Sequence, residues 1–232
     1  MASQMQNLVL AALFLPLSHF LIASTPLRGV LVRRLGERIY SSIYSLIALA
    51  AFVWLILAYR EAPVLPLWNA PGWLQVAVAP LMLLASILVV AGLTTPNPVI
   101  VRSDCLFGNP DVVRGVLRIS RNPFFWGAGI FSINHMFVIG DVAANLAFGS
   151  VAFLGLAGAP ILDAKKARRH GEAWKSFAAA TSDIPFLAIA QRRQRLRLGE
   201  IGWWRISLGT TLFLATLLFH RALFGVAVIA SF

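Results

Sequence analysis

The sequence predicts an all-α fold, a polytopic transmembrane bundle of about six spans with interfacial amphipathic helices. Three observations lead there. Hydrophobic residues make up 59% of the 232-residue chain and charged ones 12%, where a soluble domain carries about 25% charged residues, and the mean hydropathy is +0.77. Apolar runs long enough to cross a bilayer recur near 5–23, 43–59, 73–93, 123–139, 142–160 and 206–230. The charges collect between these runs rather than within them. Backbone groups in hydrocarbon must find partners inside their own segment, so each run reads as a helix.

The first segment opens with Met1–Asn7, which holds no Lys or Arg; without a positive n-region it reads as a retained helix and not as a cleaved leader. From Pro26 to Ser42, Leu27, Val30, Leu31 and Leu35 recur at helical spacing against Arg28, Arg33, Arg34 and Arg38, the pattern of an amphipathic helix lying at the interface. The spans at 123–139 and 142–160 are separated by a tight turn around Asp141. The long loop from Ile161 to Arg205 mixes aromatic anchors with basic residues and ends on Trp203 and Trp204, an interfacial belt ahead of the last span.

Basic residues orient the bundle. Arg28, Arg33, Arg34 and Arg38 lie in one loop, Arg102, Arg114, Arg118 and Arg121 in another, and ten more from Lys165 to Arg205 in a third; of the 20 Lys and Arg, Arg60 and Arg221 lie elsewhere. The positive-inside rule puts these three loops in the cytoplasm and both termini on the periplasmic side. The net charge of +11 is thereby explained by topology and anionic headgroups. It does not indicate nucleic acid, since no basic motif of a nucleic-acid module is present. With no internal repeat, residues 1–232 read as a single membrane domain. Cys105, the one cysteine, has no partner for an intrachain disulfide.

Four histidines remain. His170 falls in the basic loop, where solvation is expected. His19, His135 and His220 fall within or at the edge of spans, where an ionisable group is costly and function is the starting hypothesis. Against it stands a packing role, in which a neutral imidazole donates to a backbone carbonyl; beside Arg221, His220 reads as a bilayer-edge residue. Zinc takes three or four protein ligands, often with Cys, Asp or Glu, and no such cluster accompanies these histidines. Two imidazoles from different helices suit b-type haem, whose porphyrin already supplies four nitrogens. No CxxCH segment is present for covalent attachment. Arg28 or Arg33 would meet the haem propionates at the membrane edge. On straight helices His19 and His135 differ in depth by roughly 12 Å, so one haem between them requires offset helices.

The stretch "SHFLIASTPLRGVLVRRLGERIYSSIYSLIALA" resembles the opening of the NnrU family of bacterial membrane proteins. "LW.AP.W", "RISRNPFFWG", "NHMFVIGDVAANLAFG", "DAKKARR" and "AWKSFAAATSDIPF" then follow in that family's order. The resemblance covers roughly residues 10–190 and implies a bacterial inner-membrane location and a link to nitrite and nitric oxide (denitrification) metabolism. The chain is also similar to the ζ-carotene isomerases, which hold b-type haem between two histidines and convert a cis double bond of a polyene to trans. Their ligand segments fall here on His19 and His135. There are two departures. Ser132 stands where the plant enzymes carry a cysteine, which removes a thiolate from the iron's surroundings. Asn122 stands where relatives often read histidine, which removes one polar contact near the cytoplasmic edge. Nitric oxide and a polyene are thus the two exogenous ligands that the resemblance implies.

Two other classes compete. "RNPFFWG", "RRHGEAWKSF" and "DIPF" look like the C-terminal half of membrane methyltransferases acting on isoprenylcysteine or phospholipid, where Arg121, Glu172 and Trp174 would line a cofactor pocket. A non-catalytic assembly partner of a membrane oxidoreductase is the other; haem-free protein that co-purifies with another subunit would favour it.

Overall fold

The computed structural model describes residues 1–100, 103–109 and 111–226. Arg102 and the end of the last expected span, 227–230, lie outside the described residues. The elements are helical: α1 (Ala2–Ser24), α2 (Pro26–Leu35), α3 (Glu37–Glu61), α4 (Gly72–Thr94), α5 (Pro123–Ile139), α6 (Val142–Ala180), α7 (Leu187–Ala190), α8 (Leu198–Ile201), α9 (Trp203–Leu218) and α10 (His220–Phe224). Four of the described helices are long and apolar enough to cross a membrane, within Ala2–Ile22, Glu37–Glu61, Gly72–Thr94 and Val142–Ala180, and α5 is a shorter apolar helix.

The boundaries depart from the sequence reading where a local device intervenes. The amphipathic stretch stops at Leu35, because Gly36 takes φ 80° and its N–H closes on the Val32 carbonyl; the next helix therefore starts at Glu37, six residues early. Thr25 caps α2 by accepting from Leu27 N at 3.3 Å, with Pro26 in the first turn. The fifth expected span runs on to Ala180, broken by non-helical backbone at Gly171. The sixth is interrupted at Phe219, after α9 and before α10.

The chain forms two compact units, Met1–Ala70 with His135–Gly158, and Pro71–Asn134 with Ala159–Phe232. In the first, α1 and α3 run antiparallel. The order is fixed by Trp54 Nε1 donating to Asn7 Oδ1 at 3.0 Å and Tyr40 Oη donating to the Ile22 carbonyl at 3.1 Å. Its core joins Leu8, Ala11, Ala12 and Leu15 of α1, Ala51, Leu55 and Ala58 of α3, and Ala143 and Ala147 of α6. Small side chains let helices approach where lipid offers no hydrophobic drive.

In the second unit, α4 packs on α9. A Cβ at Gly209 would stand 2.7 Å from Ile87 Cα, and one at Gly127 would stand 2.8 Å from the Ala85 carbonyl oxygen. These close approaches fix α4 against α9 and α5. Below them lies a core of Leu88, Ala91, Val116, Leu117, Trp174 and Phe177.

Candidate functional site

Both histidines singled out by the sequence belong to the first unit. His19 is half-buried, and its Nδ1 lies 2.8 Å from the Leu15 carbonyl oxygen. A carbonyl can only accept, so this contact places the proton on Nδ1 and leaves the Nε2 lone pair bare in the neutral ring. A histidine that binds metal is commonly oriented by such a bond. Tyr44 meets the imidazole edge-on at 5.5 Å, and Tyr40 stacks on Tyr44 at 6.2 Å.

The motif "LGERIYSSIY" thus builds a connected group beside His19. Arg28 lies over the Tyr40 ring at 5.4 Å and pairs with Glu37 at 2.5 Å. Arg28 already has a carboxylate partner, while Arg33, the other arginine expected to meet propionates, stands exposed on α2.

His135 stacks on Phe148 of α6 at 4.7 Å, and Phe148 meets Tyr59 of α3 at 5.7 Å. Phe20, next to His19, packs edge-on against Phe153 of α6 at 5.8 Å. Along α6 the step from Phe148 to Phe153 is five residues, or about 7.5 Å. Pro66, after α3, bridges Asp141, just before α6.

The α5–α6 turn is clamped to hold His135. Gly140 adopts φ 70°, and its carbonyl accepts from Leu67 N at 2.8 Å and Trp68 N at 3.1 Å. Trp68 Nε1 donates to the Phe137 carbonyl at 2.9 Å. Asp141 then starts α6 by accepting from Ala144 N at 2.6 Å. Three scattered motifs, "LW.AP.W", "NHMFVIGD" and the first helix, converge here. Among the described residues no three His, Cys, Asp or Glu are grouped as a metal site.

A second polar group, in the other unit, was not anticipated. Arg121 donates to Asp163 through Nε at 2.7 Å and also through Nη2, and its guanidinium lies over Trp174 at 5.6 Å. Asn122 Nδ2 donates to Asp163 Oδ1 at 3.1 Å and to Asp183 Oδ1 at 2.9 Å, and Trp126 Nε1 reaches Asp183 at 3.3 Å. The expectation that Asn122 forfeits a polar contact is overturned: it bridges two carboxylates. The "RISRNP", "LDAKK" and "TSDIP" segments find their common purpose in this cluster. The signal available beforehand was an Asp at the end of an apolar run, Asp163.

His170 is also not the solvated residue expected. Its ring lies 4.5 Å from Phe107, and its Nε2 is 3.4 Å from Asp104 Oδ1. Burial pushes the Asp104 carboxyl up, but the Lys166 hydrogen bond, with the charges of Lys166, Arg169 and His170, leaves it below the usual range. Glu172 stands exposed with Lys175 at 2.6 Å as its ion-pair partner, whereas Trp174 is buried in the core. Of the methyltransferase trio, Arg121 and Trp174 meet and Glu172 faces solvent.

The family model described as "NnrU protein" matches residues 7–228 of the chain. Over 83 residues the chain is 40% identical to the chloroplastic 15-cis-zeta-carotene isomerase of Arabidopsis thaliana, a stretch that is 35% of this chain and 22% of the relative. The match thus covers about a fifth of that curated relative's length. No solved structure matches the chain.

Proposed function

Because the chain belongs to the NnrU family, we propose that it is an inner-membrane protein that holds b-type haem between His19 and His135 and acts in cis–trans isomerisation of a polyene of the ζ-carotene kind. The observation that carries this reading is that His135 stacks on Phe148 of α6 while Phe20, next to His19, meets Phe153 five residues further along the same helix. His19 has its Nδ1–H tied to the Leu15 carbonyl and its Nε2 bare. Haem held by these two histidines would, once one imidazole gave way to an exogenous ligand, supply the chemistry that weakens a double bond or takes nitric oxide. The protein's part is orientation and exclusion of water. The Leu15 carbonyl holds the tautomer of His19, Tyr44 blocks one edge of its ring, and Phe148 fixes the plane of His135. Arg33 and, after release of Glu37, Arg28 are the cations for propionates. The basic residues of the three loops support a topology with those segments in the cytoplasm and both termini in the periplasm.

The test is expression in cells that accumulate a cis-ζ-carotene, with pigments resolved by chromatography. Wild type is expected to convert the cis isomer to the trans, and His19→Ala to leave it unchanged. A pigment profile equal to that of empty cells would overturn the isomerase reading. Nitric oxide uptake by the same haem-loaded preparation would then assign the site to nitric oxide handling.

A further inference from the structure

The loop between α6 and α9 is held rigidly on its inner side. Ala188 is fully buried, Arg193 Nη1 donates to the carbonyls of Ala179 and Thr181 at 2.5 and 2.7 Å, and Gln194 Nε2 donates to that of Ala180 at 3.0 Å. Arg197 pairs with Glu200 at 3.0 Å, and Arg205 donates to the carbonyls of Thr94 and Ile201 at 3.0 Å. Three of the five arginines from 192 to 205 are thus used by the protein. The other two, Arg192 and Arg195, are exposed and have no acceptor among the described residues. Arg192 sits at φ 59°, in the left-handed region that side chains rarely adopt, secured by Arg192 N donating to the Ile189 carbonyl at 2.9 Å. Large apolar side chains of the same loop and of the start of α9 are exposed: Phe186 is 38% exposed, Leu196 46%, Leu198 49% and Trp203 66%.

We propose that Arg192 and Arg195 seat the phosphate of an anionic lipid headgroup. Charge complementarity selects the ligand, since a guanidinium fork matches phosphate oxygens. The exposed Trp, Phe and Leu side chains select its source, because they belong at the headgroup–acyl boundary and would gain nothing from a free anion. The site is independent of the two histidines and of any haem.

The test is native mass spectrometry of the full chain in neutral detergent, titrated with phosphatidylglycerol or phosphatidylcholine. Wild type is expected to prefer phosphatidylglycerol. An Arg192→Asn/Arg195→Gln variant should lose about 25-fold of that preference, from about fivefold for each arginine near an anionic surface. Asparagine tolerates the left-handed backbone, so this variant keeps the fold, which its melting temperature checks. Arg193→Gln, whose partners are protein carbonyls, should melt earlier yet retain the preference. An undiminished preference in the double variant, an equal loss in Arg193→Gln, or displacement of the lipid by millimolar inorganic phosphate would each overturn the proposal.

Discussion

Replacing Asp163 with alanine removes the carboxylate on which Arg121 and Asn122 converge. The side chains of Arg121 and Asp163 are 15% and 12% exposed, so the guanidinium left behind has little water to turn to. Trp174, at 5.6 Å, offers a ring face but no acceptor. Breaking a buried pair by deleting one partner costs about 3–5 kcal/mol, and for a chain of this size each kcal/mol moves the melting temperature by about 2–4 °C. Asp163→Ala should therefore melt about 10 °C below wild type, read by tryptophan fluorescence in detergent. Asp163→Asn keeps one acceptor oxygen and should lose about half as much. Arg121→Met/Asp163→Leu should recover most of the loss, because an apolar pair of similar volume often replaces a buried ion pair without penalty. An Asp163→Ala protein melting within about 1 °C of wild type would refute the reasoning, as would a double variant worse than the single one.

A Cβ at Gly140 would stand 2.5 Å from the Trp68 carbonyl oxygen, at φ 70°; Gly140→Ala should cost about 2–4 kcal/mol, seen as a lowered melting temperature and faster proteolysis within 62–71. The Arg118 hydrogen bond, helped by those from Gly115 and Arg197, holds the Glu200 carboxyl at about 2 against an ordinary 4.5. A depressed carboxyl stabilises the fold above its unfolded value, so about 1–2 kcal/mol, after discounting for solvent screening, should fade as pH falls from about 4.5 to 2. Glu200→Gln should flatten the melting profile in that window. Ser132 is fully buried and its hydroxyl lacks a hydrogen-bond partner among the described residues; Ser132→Ala should be neutral or stabilising by up to about 1 kcal/mol, and a melting temperature several degrees lower would contradict that.

The hydrophobic runs were legible because the bilayer imposes one solution, a helix of fixed minimum length. α4 and α5 start and stop within a residue of where their apolar runs do. The boundaries that escaped depend on single glycines: Gly36 divides α2 from α3, and Gly171 breaks α6, conformations that hydropathy does not encode. His19 and His135 were legible as costly groups in hydrocarbon, and the structure adds the Leu15 carbonyl and Tyr44 around the first. The Asp163 cluster was not legible from pattern. Its members are spread from Arg121 to Asp183, and each alone reads as an interfacial anchor or a loop residue. Position in the fold, not residue type, makes them a cluster.

The central claim is the proposal that His19 of α1 and His135 of α5 are an imidazole pair for haem. The most direct measurement is the visible absorption spectrum of the detergent-purified protein, oxidised and dithionite-reduced, beside His19→Ala and His135→Ala. The account predicts a Soret band with sharp reduced bands, lost or shifted in both variants. A haem-free spectrum that added haem does not restore, or bands indifferent to both substitutions, would contradict it.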